Sequence, residues 1–385
     1  RDAGPTRETG ASDAGIDAPA PDAGRGCAWR ELTAPLDVFR EPLGLFSRPL
    51  VVRLGADTVL LATHTDPDGR SMVRVARLTR ALELVDLGRL DSPGVPSGPA
   101  AAAPTGSMLA VCTPDASGQA FLQRHTPPTY VVSSRQPLGA FDRCLDASSV
   151  GERMLIALGR STADGVEPFV MHFAPGGGFL PRPALSDRSA RGPVAATIVD
   201  EGFAWAGPTD AFGRIEATFF VGDAPRALSI AGFPRTDGVP PELAQWPYAP
   251  RALAIVTSGV GLRLRVVAED GTEILRNDAL AFQMFPTPVP AMASSPAGLV
   301  LAQLDFGDLD PRSGRISVSR IGSDGTAVNV GAGPFGVSRA REDSGAEVSA
   351  AGDAERTVVH WSWSSSRPGV VNETRTHALV LECDP

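Results

Sequence analysis

One pattern recurs seven times along this chain of 385 residues. Short apolar runs begin near Val59 (VLLATHT), Met108 (MLAVCT), Met154 (MLIALGR), Phe203 (FAWAGPT), Leu253 (LAIVTSG), Leu299 (LVLAQLD) and Val358 (VVHWSW). Subtracting successive start positions gives spacings of 49, 46, 49, 50, 46 and 59 residues. After a turn, each run is followed by a second one: Met72–Leu78, Ala120–His125, Phe169–Ala174, Glu216–Val221, Leu262–Ala268, Ile316–Ile321 and Ala378–Cys383. The turns concentrate Asp, Gly and Pro, as in Asp66-Pro67-Asp68-Gly69 and Asp164-Gly165. These residues tolerate the backbone angles of tight hairpins.

A period of roughly 40–50 residues made of strands alone is the signature of a β-propeller. A third run, rich in small residues, precedes each pair, as in PAAAA (99–103), PVAA (193–196), PAMA (290–293) and AEVSA (346–350). Small side chains suit the innermost strand, where blades converge on the axis. A fourth strand follows turns such as Gly176-Gly177-Gly178, Asp270-Gly271-Thr272 and Asp324-Gly325-Thr326. The fold class is therefore all-β: a seven-bladed propeller of four-stranded antiparallel blades. The last blade runs out of chain at Pro385, so the segment from Cys27 to Phe39 is expected to pair beside Ala378–Cys383 and close the ring. Continuous helical periodicity is absent, which excludes an α/β architecture.

Residues 27–385 form one propeller domain on this reading, and residues 1–26 are of another kind. That tail holds three Asp-Ala-Gly triplets and Ile16 as its one large aliphatic residue. It cannot bury enough apolar surface to offset its ordering entropy and is expected to be disordered. It resembles the Asp/Ala/Gly/Pro linkers behind signal or lipoprotein signal peptides in secreted myxobacterial proteins. That resemblance implies a spacer between an envelope anchor and a folded body, and an extracytoplasmic, secreted or lipid-anchored location. The chain opens on Arg1 rather than methionine, which fits a removed leader or a trimmed start. No run approaches the ~20 apolar residues of a membrane helix.

An extracytoplasmic setting favours disulfides among Cys27, Cys112, Cys144 and Cys383. None of the four shows zinc-finger spacing. The blade map pairs Cys27 with Cys383 across the ring closure, and Cys112 with Cys144 between blades two and three. The net charge of −9, with arginine as the only basic residue besides histidine, gives no basic stripe for nucleic acid.

The propeller resemblance stops at the fold. The dipeptides of WD40 blades, the glycine pairs of kelch repeats and the Asp-box of sialidases are all absent. Nucleophile and phosphate-loop motifs are absent as well. Three constellations remain. The irregular stretch Gly232–Pro250 carries Arg235, Asp237, Trp246 and Tyr248 among five prolines; it stands where blade five needs its first strand, so part of it reads either as that strand, poorly patterned, or as a binding loop, as long loops in compact folds often are. Asp305, Asp308 and Asp310 crowd one hairpin and form the one candidate calcium site, although Arg312 interrupts their alternation. His64 and His360 sit in matching strands of adjacent blades, and Trp361 and Trp363 share a strand face; for both pairs packing is the favoured role.

The expected function is a monomeric binding module at the cell envelope, without a cofactor, for a protein, peptide or glycan ligand. The alternatives are a propeller-scaffold enzyme, such as a lyase or calcium-dependent hydrolase, and a structural envelope protein. A propeller enzyme needs convergent polar residues at the axis, and the Ala-rich inner strands argue against them.

Overall fold

A computed structural model describes residues 28–90, 101–175, 177–178, 180–186, 192–209, 214–221, 224–230, 241–258, 261–282, 290–306, 314–337, 348–365 and 373–384. They form seven antiparallel sheets. Blade one is Leu45–Leu54, Asp57–Thr65, Ser71–Leu78 and Leu84–Arg89, from the axis outward. Blade two is Ala101–Thr105, Met108–Pro114, Ala120–Thr126 and Val131–Gly139. Blade three has Arg143–Val150, Arg153–Thr162 and Gly165–Ala174, and its fourth place holds the two-residue pairings Gly177–Gly178 and Arg182–Pro183. Blade four is Ala195–Val199, Gly202–Pro208, Ile215–Val221 and Ala224–Ile230. Blade five is Glu242–Gln245, Ala252–Ser258, Gly261–Ala268 and Glu273–Phe282. Blade six is Pro290–Ser295, Gly298–Phe306, Gly314–Ile321 and Ala327–Val337. Blade seven takes Val348–Gly352, Arg356–Ser365 and Glu373–Asp384 from the end of the chain and Ala28–Glu31 with Leu36–Glu41 from its beginning.

The inner strands touch in chain order, and Val348–Gly352 packs against Leu45–Leu54 to complete the circle. The N-terminal closure is thus as expected: Trp29 lies opposite Cys383, and Leu36 opposite Ala378. Without it the edge of Glu373–Asp384 would expose a row of unpaired backbone groups.

Seven apolar clusters hold the ring, one in each seam between adjacent blades. Alternation along each strand sends side chains to both faces of the blade, and both faces are buried by neighbours. This is why second strands such as Val59 to Ala62 are apolar without interruption, each of these residues being no more than 1% exposed.

The Cys112–Cys144 disulfide ties the second strand of blade two to the inner strand of blade three. Cys383 is also disulfide-bonded, and Cys27 lies outside the described residues. The tail expected to be disordered lies outside them too. Among the described residues no helix is long and apolar enough to cross a membrane.

Candidate functional site at the propeller axis

The stretch expected to bind a ligand is described from Pro241 onward. Arg235 and Asp237 lie outside the described residues, but Glu242–Gln245 is the inner strand of blade five. Trp246 directly follows it, 2% exposed, and its backbone N–H bonds the Ala252 carbonyl at 2.8 Å. Its indole lies edge-on to Tyr248, with centroids 5.0 Å apart, in the seam between blades five and six. The Tyr248 hydroxyl donates to the Ile321 carbonyl at 2.7 Å. The Trp246 ring is thus buried in the seam, and Tyr248 packs half-buried against it. The strand that the sequence offered as one reading of this stretch is therefore present, and five prolines around it account for its poor pattern.

Asp305 lies in the strand Gly298–Phe306, and Asp308 and Asp310 lie outside the described residues. No group of three His, Cys, Asp or Glu side chains able to hold a metal occurs among the described residues. His64 donates from Nε2 to the Leu43 carbonyl at 2.8 Å, and His360 from Nδ1 to the Leu50 carbonyl at 3.2 Å. Each thus braces the strand entering blade one, and neither points at a common site. Trp361 is fully buried in the seam between blades six and seven.

Polar groups do converge on the axis, contrary to the expectation drawn from the Ala-rich inner strands. Arg48 sits in the inner strand of blade one, Asp146 in that of blade three and Glu242 in that of blade five. The Arg48 guanidinium crosses from blade one to donate to the Cys144 carbonyl at 2.6 Å. Arg48 has φ of 45°, inside a register shift between Ser47 and Leu50. A left-handed arginine is uncommon and costs free energy, and such strain clusters at functional sites. A second shift, between Cys144 and Asp146, re-aims Asp146 from its strand.

Asp146 accepts from the backbone N–H of Ala147 and, in the next blade, of Ala196, both at 2.8 Å. Glu242 likewise accepts from the backbone N–H of Met292 in the next blade. Both carboxyl groups keep partial access to water along the axis while protein surrounds them. Burial raises the Asp146 carboxyl above its ordinary value, and Arg48 and the two N–H groups oppose that. Burial, reinforced by the nearby Asp146 charge, pushes Glu242 up to about 8; Arg48 and the Met292 N–H pull the other way. Two like charges in a poorly solvated space cannot both ionise cheaply, so Glu242 holds its proton at neutral pH. The arrangement offers one fixed cation, one hydrogen-bonded carboxyl and one protonated carboxyl around a common space.

Sequence reasoning passed over all three residues. They stand 98 and 96 residues apart by subtraction, two repeat lengths each time. A charged residue at matching places in alternate repeats is the signal that finds them.

The sequence matches no protein-family model and no curated protein. Solved structures do resemble the fold. An arginine-to-alanine triple mutant of AofleA from Arthrobotrys oligospora superposes with TM-score 0.51 at 10% identity, over 83% of this chain and 96% of its own. A neuraminidase-like protein of A/flat-faced bat/Peru reaches TM-score 0.45 at 7% identity, over 93% and 94%. A Trypanosoma rangeli sialidase reaches 0.44 at 10% identity, over 87% and 54%. At such identities the likeness to AofleA supports the propeller fold alone, and the other two carry no functional argument.

Proposed function

We propose that this chain is an extracytoplasmic propeller that acts at the cell envelope as a binding module, with its ligand held at the axis by Arg48, Asp146 and Glu242. The observation behind this reading is their convergence from alternate blades, with Arg48 in a strained backbone conformation. Rigid strands hold polar groups more accurately than loops, which suits a preorganised site. The Cys112–Cys144 bond supports the location, because disulfides persist in oxidising compartments. The ligand class that suits the axis is a small polar molecule carrying both a donor group for the carboxyls and an acceptor for Arg48.

A second reading rests on Glu242 alone. A carboxylic acid that keeps its proton to about pH 8 beside a second carboxyl is a poised general acid, and perturbed groups of this kind cluster in active sites. The chain would then be a propeller-scaffold enzyme.

A thermal-shift screen of small amino acids, amines and hydroxy acids separates the two readings. A ligand that raises the melting temperature of the wild type, and no longer does so in Arg48→Ala or Asp146→Asn, supports binding at the axis. Stabilisation that persists in both variants moves the site elsewhere. Product formation that disappears in Glu242→Gln, with binding retained, favours the enzyme.

A further inference from the structure

A second concavity lies away from the axis, between blades two and three. It encloses about 510 Å3, within the roughly 300–1,000 Å3 of ordinary small-ligand sites. Its lining includes Gly106 and Met108 from blade two's inner hairpin, Arg124 and Gln136 from that blade's outer strands, and Glu152 and Phe173 from blade three. Among the described residues, the side chains of Arg124, Gln136 and Glu152 make no hydrogen bond or ion pair with the protein. Of the apolar lining residues, Phe173 is 6% exposed and Met108 half-buried.

The two walls are held together. The Gly106 N–H donates to the Gly151 carbonyl at 3.2 Å, and the Thr105 hydroxyl contacts the Met154 sulfur at 3.8 Å. The Cys112–Cys144 disulfide joins the same two blades. A cleft fixed in this way loses little freedom when a ligand arrives.

The chemistry of the lining selects the ligand. Arg124 can only donate, ionised Glu152 can only accept, and the Gln136 amide does both. An anion would meet Glu152 and a cation would meet Arg124, so either carries a repulsive partner. A hydroxyl donates and accepts at once and can serve all three groups, while C–H groups can rest on the half-buried Met108. We propose that this cleft binds one or two neutral sugar units, free or at the end of a longer glycan. The site is independent of the axial one and shares none of its residues.

The test is saturation-transfer difference NMR on the full chain with glucose, galactose, mannose, fucose, N-acetylglucosamine and their disaccharides. Citrate and spermidine serve as charged probes, and immobilised glycans as the polymer-bound arm. The expected result is binding of at least one neutral sugar, weakened about tenfold or more in both Arg124→Ala and Glu152→Ala. Glu152 is exposed and Arg124 half-buried, and neither side chain bonds the protein among the described residues, so the melting temperature should change little. Silence from every sugar in both arms overturns the proposal. So does sugar binding that survives both substitutions, or citrate binding lost only in Arg124→Ala.

Discussion

Glu242 sets the clearest expectation for a single residue. Its ordinary value is 4.5, and burial with the Asp146 charge raises it to about 8 in the fold. Between those values the native state holds a proton that the unfolded chain has released. Stability therefore falls as pH rises through this window and is lowest above it. Glu242→Gln removes the proton, so its melting temperature should decline less than that of the wild type between pH 4.5 and about 8. Parallel curves would mean that Glu242 ionises normally. His360 gives the acid limb. Burial, with a smaller push from His377, lowers it from 6.5 to about 3, against the Leu50 carbonyl that favours its charged form. The unfolded chain takes up a proton there first, so stability falls as pH drops below 6.5 toward 3. Gly44 is a steric case. It has φ of +99°, and a Cβ would overlap the Thr65 carbonyl oxygen and the His64 ring. Gly44→Ala should cost on the order of 1–3 kcal/mol by equilibrium denaturation, and a neutral result would show that this loop can shift.

At the scale of elements, the closing strand matters most. Ala28–Glu31 pairs with the last strand of the chain, and Trp29, 6% exposed, packs with Trp361, Val359 and Leu381 in the seam between blades six and seven. Leu36–Glu41 continues the same edge and brings Phe39 into the next seam, where Phe46 stacks on it at 5.8 Å and the Arg74 guanidinium lies 5.4 Å from its ring. Arg74 also pairs with Glu41 and, at 2.8 Å, with Asp86. Two seams therefore depend on one N-terminal segment. Trp29→Ala should cost roughly 3–5 kcal/mol, the usual range for a large buried aromatic. A loss below about 1 kcal/mol in urea titration would mean the closing strand contributes little to the ring.

For the whole molecule, the measurable cross-link is Cys112–Cys144, which closes a loop with a sequence separation of 32. In the chain-entropy picture a loop of that length is worth about 3–4 kcal/mol. Replacing both cysteines with alanine should lower stability by an amount of this order. It should also soften the cleft between blades two and three, so sugar binding there should weaken together with stability. Unchanged stability would show that the seam packing of Met154, Leu122 and Phe141 holds the two blades without the bond.

Number of blades, strand order and closure were legible because each depends on local pattern repeated along the chain. Period and turn chemistry mark the hairpins, and small residues mark the inner strands. The pairing of Cys112 with Cys144 followed from the blade map, since it joins neighbouring blades. The inner strand of blade five was legible only as one of two readings, because prolines flank it and four residues carry too little periodicity to stand out. Arg48, Asp146 and Glu242 escaped notice because each is an isolated charge in its own segment. Only the ring brings residues two repeats apart to one axis, where lost hydration turns an ordinary glutamate into one that keeps its proton at neutral pH. The sequence alone therefore determined the repeating sheet and the way its ends meet. The tertiary structure decided which charges share a poorly solvated space and which clefts stay open, since both depend on distances between blades that no local pattern encodes.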